Sequence, residues 1–280
     1  MMDIKTLTDS PGKLPVIPKV AQKIIQSFSD EDVSIEEIAS LISADPALSA
    51  KLLWLANSAY FQVSKSIGTV DHAIRILGFA IVRNLVLGNG LASAYRNTAG
   101  INLPLFWRYN LYTACAARWL AQRCSVNSDL TFTLGLLHAV GQLQLHVVAP
   151  AAVASLDQQL SVLDAARPEL ETRQLGFHYS DVSAELAISW NFPKSLVEAL
   201  RCIPAPLAPA DFVAPAACVH LGAWRARCEV LGNSEADIAT SFPVAVSQRL
   251  GLGPVWAEIT PPMPAFSELT LGLESLLDGA

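Results

Sequence analysis

The nine residues 135–143 read GLLHAVGQL. An imidazole followed directly by a carboxylate, on a helix and ahead of a glycine, would offer two ligands to a divalent metal. Here the imidazole is His138, but Ala139 stands where the carboxylate would be. A lone neutral imidazole does not hold a hard divalent ion against water, and no negative charge is left to balance the metal. His146 follows eight residues later, which is not the i, i+4 spacing of a helical metal pair. The chain carries no G-x-S-x-G, no Walker-type loop and no G-x-G-x-x-G. Its five cysteines form no C-x-x-C pair, so they read as reduced thiols, with Cys115 and Cys124 as small core residues. The expectation is a chain without metal, cofactor or catalytic residues.

The elements that would position His138 read as helices. Apolar residues make up 52% of the 280 and charged residues 16%, enough to bury a large core. Val20, Ala21, Ile24, Ile25 and Phe28 fall on one helical face. Ser34 and Glu37 form a capping-box pattern, Asp45-Pro46 an N-cap followed by a first-turn proline, and Thr69 to Gly78 a capped helix. Further helices are predicted over 79–91, 104–124, 130–148, 151–166 and 169–176, then from a Ser180 cap to before Pro193, then from Pro193, and over 212–230. No segment alternates with period two, so the chain reads as all-α.

The mean hydropathy of +0.37 is high, yet the most apolar zone, 134–156, is broken by His138, Gln142, Gln144, His146 and Pro150, and no membrane span is expected. The start, MMDIKTLTDS, lacks the features of a signal peptide, and a cytoplasmic protein is expected. The net charge of −6 comes with no dense Lys/Arg cluster; residues 1–123 are mildly positive and the remainder strongly negative. Nucleic acid is therefore not an expected partner.

Two stretches carry a family resemblance. LPVIPKVAQKIIQSFSDEDVSIEEIASLISADPALSAKLLWLANSAYF and IGTVDHAIRILGFAIVRNLVLG are similar to the N-terminal half of HDOD domains. The matching points include Leu14-Pro15, Pro18, Ile42, Asp45-Pro46, Asn57-Ser58, Ala73-Ile74 and Leu77-Gly78. The later FWRYNLYTACAARWLA, FTLGLLHAVGQL and GFHYSDVSAELAISWNFPKSLVEALRC resemble the half related to HD phosphohydrolases. The resemblance implies a two-lobed, all-helical HDOD fold over 14–206, with a lobe at 14–100, an HD-like lobe at 101–206, a tail at 1–13 and a helical extension at 207–280. It also implies a role in bacterial signalling. With 280 residues, no receiver or nucleotide-cyclase domain is expected, so the signal would arrive by association.

Carried over residue by residue, the HD ligand positions are largely vacated. Tyr109 stands at the first histidine, His138 and Ala139 at the His-Asp pair, and Gln142 at the lysine after the glycine. Tyr179 stands at the next histidine with His178 one residue away, and Ile203-Pro204 lies near the final His-His. The GYP signature of the cyclic di-GMP phosphodiesterases is missing. The resemblance therefore implies a regulatory module that binds a protein partner, with a small ligand in a degenerate pocket made by Tyr109, His138, Ala139, Gln142, His178 and Tyr179. The alternative is a divergent metal-dependent phosphohydrolase using His138, His178 and acids that cannot be placed. Asp45, Pro46, Trp54, Asn57, Ser58 and Tyr60 are the candidate interaction residues; the first two, with Asn57 and Ser58, also have plain helix-cap readings.

Overall fold

The computed structural model describes residues 3–8, 14–28, 34–58, 61, 63, 65–270 and 273, and no strand occurs among them. After a 3-10 turn at Ile4–Leu7 come α1 (Lys19–Gln26), α2 (Ile35–Ser43), α3 (Pro46–Ala56), α4 (Val70–Leu77) and α5 (Phe79–Ala94). Then follow α6 (Leu103–Arg123), α7 (Ser128–Leu137), α8 (Val140–Val148), α9 (Pro150–Asp157), α10 (Arg167–Leu175), α11 (Tyr179–Ser189) and α12 (Lys194–Cys202). The C-terminal segment adds α13 (Ala214–Val230), α14 (Glu235–Thr240), α15 (Val244–Arg249) and the short α16 (Phe266–Leu269). No single helix among the described residues is long and apolar enough to cross a membrane.

Helices α1 to α5 pack in sequence order around Ile24, Ile38, Leu52 and Leu85, all fully buried. In the second half α6 is the axis. It buries residues all round, which is the mark of a central helix. Two neighbours reach it through glycine. A Cβ on Gly135 of α7 would lie 2.5 Å from Ala114 Cα, and one on Gly222 of α13 would lie 2.8 Å from the Thr113 carbonyl oxygen. The C-terminal α13 is thus pressed against the same helix that holds Tyr109. A second apolar cluster, with Trp119, Trp224 and Phe242, lies under the C-terminal segments.

Buried polar contacts join the two halves. Tyr95, at the C-cap of α5, donates to Gln144 Oε1 (2.9 Å), Gln144 Nε2 donates to the Leu7 carbonyl (2.6 Å), and Thr133 Oγ1 lies 3.1 Å from Asn84 Oδ1. Buried polar groups of this kind are costly unless matched, so their pairing fixes how the halves meet.

Several boundaries differ from the sequence expectation. The helix expected over 130–148 is two, broken at His138-Ala139, where Ala139 has ψ 5°. His138 Nδ1 sits 2.7 Å from the Gly135 carbonyl, and Gln142 N–H closes a tight bond to the Ala139 carbonyl. The helix expected over 151–166 stops at Asp157. Beyond it the Leu160 and Leu163 carbonyls accept from Arg167 Nη1 (2.6 Å) and Arg227 Nε (2.5 Å), and a continued helix would not present both to those arginines. The cap of α11 is His178, not Ser180, whose hydroxyl instead donates to the Leu200 carbonyl. At α2 Ser34 accepts from Glu37 N–H, but its own hydroxyl goes to Glu36, so only half of the capping box forms. The caps at Asp45, Thr69 and Gly78 are as expected.

Candidate functional site

His138 is fully buried at the α7–α8 break, its ring 5.2 Å from the Tyr109 ring in an edge-on arrangement. With Nδ1 donating to the Gly135 carbonyl, Nε2 carries a lone pair that has no hydrogen-bond partner among the described residues. Burial pushes the imidazole pKa down to about 4; the Gly135 hydrogen bond opposes this and the nearby Arg227 charge adds to it. His138 is therefore neutral at ordinary pH.

Three elements converge on it. Tyr109 comes from α6 and Tyr179 from the first turn of α11, both buried. Burial, then the neighbouring Tyr109, raises the Tyr179 phenol pKa, so it stays protonated. Arg227 comes from α13, and its guanidinium is an electrostatic neighbour of the Tyr109 and Tyr179 hydroxyls. Among the described residues no carboxylate oxygen lies within 4 Å of that guanidinium. The pocket thus holds a cationic side chain among two phenols and one imidazole.

Close packing of α8 on α11 sets this geometry. Ser183 Oγ accepts from Gly141 N–H (2.9 Å) and approaches the His138 carbonyl at 3.0 Å. A Cβ on Gly141 would run into the Tyr179 carbonyl, which explains the glycine of GLLHAVGQL without reference to chemistry. Ala139 is buried against the same region and offers no ligand atom.

Behind the tyrosines lies a buried ionic network. Gln142 Nε2 donates to Glu171 Oε1 (2.8 Å), which also accepts from Arg167 Nε (2.9 Å). The other oxygen, Glu171 Oε2, accepts from Tyr179 N–H (2.7 Å). Arg167 further pairs with Asp157 at 2.8 Å, a close charge contact poorly aligned for a hydrogen bond. Asp157 in turn meets His146 Nε2 at 2.9 Å. Arg167, Glu171, Asp157 and Arg227 were not singled out from the sequence. The i, i+4 spacing of Arg167 and Glu171 was the one visible signal, and it marks surface pairs as often as buried ones.

His178 does not join the pocket. Its Nδ1 accepts from Asp181 N–H (3.3 Å) while Asp181 returns a bond from the His178 N–H (3.1 Å), a reciprocal cap that turns the ring away from the pocket and toward a surface groove beside Glu169 and Pro204. This corrects the expectation that His178 lines the pocket. In the other lobe, Asp45 Oδ1 accepts from Ala47 and Leu48 N–H at 3.0 Å, with Pro46 in the first turn. Asn57 exchanges two bonds with Ile67 (2.9 and 2.7 Å), pinning that loop. The Ser58 hydroxyl is buried with no partner among the described residues. Trp54 is 56% exposed, and Tyr60 lies outside the described residues.

The HDOD domain model matches residues 14–206. A crystal structure of a provisionally named phosphohydrolase from Shewanella amazonensis SB2B superposes with a TM-score of 0.73 at 25% identity, over 98% of this chain and 94% of that one. An HDOD domain protein of unknown function from Geobacter sulfurreducens gives a TM-score of 0.72 at 19% identity, over 98% and 95%. A provisionally named signal transduction protein from Marinobacter aquaeolei VT8 gives 0.69 at 24% identity, over 99% of this chain and 59% of that one. Among curated proteins, an uncharacterized protein of Treponema pallidum (strain Nichols) is 25% identical over 198 residues, which are 70% of this chain and 38% of that protein. The chain thus spans well under half of that relative's length.

Proposed function

The chain belongs to the HDOD family, and on that premise we propose that it is a non-catalytic bacterial signalling module that acts by binding a protein partner. The family is related to signal transduction proteins and to proteins named as metal-dependent phosphohydrolases. The observation that carries the non-catalytic reading is the placement of Arg227 beside Tyr109 and Tyr179. A guanidinium in that position repels a divalent cation, and the Tyr179 phenol, which stays protonated, is a poor ligand for one. Among the described residues no three His, Cys, Asp or Glu side chains are grouped to hold a metal. The donor set does not fit the metal that the HD relationship implies, and no hydrolytic step is drawn through it.

Partner binding is assigned to the N-terminal lobe. Trp54 stands exposed on α3, next to the Asn57-pinned loop, and exposed tryptophan is the commonest anchor of a protein interface. The cytoplasm is the proposed location. Affinity capture with the full chain, in parallel with a Trp54→Ala variant, tests the reading. A partner recovered by the native chain and lost by the variant is expected; repeated recovery of nothing specific by the native chain counts against it.

One observation favours a second reading, a divergent metal-dependent phosphohydrolase. The unpartnered His138 Nε2 is the kind of lone pair a metal takes up. Elemental mass spectrometry on purified protein separates the two: one or two metals per chain would favour hydrolysis, substoichiometric metal the binding module.

A further inference from the structure

The guanidinium of Arg227 borders a cavity of about 120 Å³ lined in part by Tyr179, His220, Trp224 and Ser241, and closed by the 164–168 turn. A buried cation is unfavourable unless its charge is matched. Arg227 Nε is engaged by the Leu163 carbonyl at 2.5 Å, a partner that carries no charge. His220 is pinned through Nδ1 to the Ile203 carbonyl at 2.8 Å, and its Nε2 has no partner among the described residues. Trp224 Nε1 donates to Ser241 Oγ at 3.0 Å, and the Ser241 hydroxyl itself donates to the Asp237 carbonyl at 2.6 Å. The one carboxylate in the lining, Asp164, has an oxygen engaged by the Ala166 N–H at 2.8 Å. The wall therefore presents the Arg227 guanidinium, the Tyr179 hydroxyl and an imidazole, and among the described residues no carboxylate, Asp164 included, lies within 4 Å of the guanidinium.

We propose that this cavity binds a small oxyanion of the phosphate class, with Arg227 as its anchor and the Tyr179 hydroxyl as a further donor. The planar fork of a guanidinium suits tetrahedral oxyanions because it donates two parallel hydrogen bonds. Size limits the ligand. A space of about 120 Å³ is about four waters at ~30 Å³ each, enough for a phosphate but well under the several hundred Å³ of sites for nucleotide-sized molecules. The site joins α11, α12 and α13, so an occupant would tie the C-terminal segment to the HD-like half. The proposal rests on the reading that the pocket has exchanged metal for arginine.

The test is calorimetric titration of the full chain with inorganic phosphate, against chloride and acetate at equal ionic strength, with metal content measured on the same sample. Saturable phosphate binding is expected in metal-free protein, weakened at least about tenfold in Arg227→Gln, whose amide keeps shape but not charge. His220→Phe, which fills part of the cavity and leaves the guanidinium, is expected to lose binding as well, and carries the test if Arg227→Gln does not fold. Metal-free protein that binds no phosphate, or folded variants that bind it as well as the native chain, would overturn this inference alone. Bound metal whose removal abolishes phosphate binding would overturn the non-catalytic reading along with it. Acetate binding as tightly as phosphate would reassign the cavity to carboxylates.

Discussion

Gln142 Nε2 lies 2.8 Å from Glu171 Oε1, and both side chains are inaccessible to solvent. Gln142 is thus tied into an internal network. Glu171 accepts three hydrogen bonds, from Gln142, Arg167 and the Tyr179 backbone, and so couples α8, α10 and α11.

Glu171→Ala would leave Arg167 buried with only the poorly aligned Asp157 as its counterion. Removing one partner of a buried ion pair costs about 3–5 kcal/mol. Urea denaturation should show a loss of that size, whereas a loss under about 1 kcal/mol would mean that Asp157 alone suffices.

Gly141→Ala would drive a Cβ into the Tyr179 carbonyl, and backbone cannot step aside as a flexible side chain can. Overpacking of this kind costs roughly 1–3 kcal/mol or more. A lowered melting temperature is expected, with Gly68→Ala, where a Cβ meets nothing within 4 Å, as the comparison. Equal melting temperatures for the two variants would rule out the tight α8–α11 approach.

Stability should fall on acidification below neutrality. The folded-state pKa of His138 is about 4, below the ordinary histidine value near 6.5. Between these values the unfolded chain binds a proton that the folded chain excludes, so stability is full above about pH 6.5 and declines as pH falls toward 4. The full difference is roughly 3 kcal/mol for this group. His220, also depressed by burial, acts in the same direction. Denaturation midpoints between pH 7.5 and 4.5 measure it; His138→Phe should flatten the profile, and an unchanged slope would assign the dependence elsewhere.

Trp54→Ala should change stability by no more than about 0.5 kcal/mol, because the ring is 56% exposed. Denaturation and partner capture on the same preparation separate the two roles. A large loss of stability would mean that Trp54 is a packing residue.

Much of the fold was legible because its signals are local. Asp45 before Pro46, Thr69 three residues before His72, and the apolar face of α1 each depend on neighbours within a turn or two, and the structure has them in place. The composition of residues 135–143 already separated His138 from any carboxylate neighbour. Less legible were features in which a side chain competes with the helix itself. His138 takes the Gly135 carbonyl and breaks a run that periodicity carries straight through, and His178 is drawn to cap α11 by Asp181 rather than to face the pocket.

The sequence by itself determined the all-helical class and the family, since each depends on residue identity or short-range spacing. Only the tertiary structure decided that Arg227 lies beside Tyr109 and Tyr179. Arg227 lies 118 residues beyond Tyr109 in the chain, and nothing local links them. They meet because Gly222 lets α13 lie close against α6, and a contact made by packing at that sequence distance leaves no periodic or motif signal.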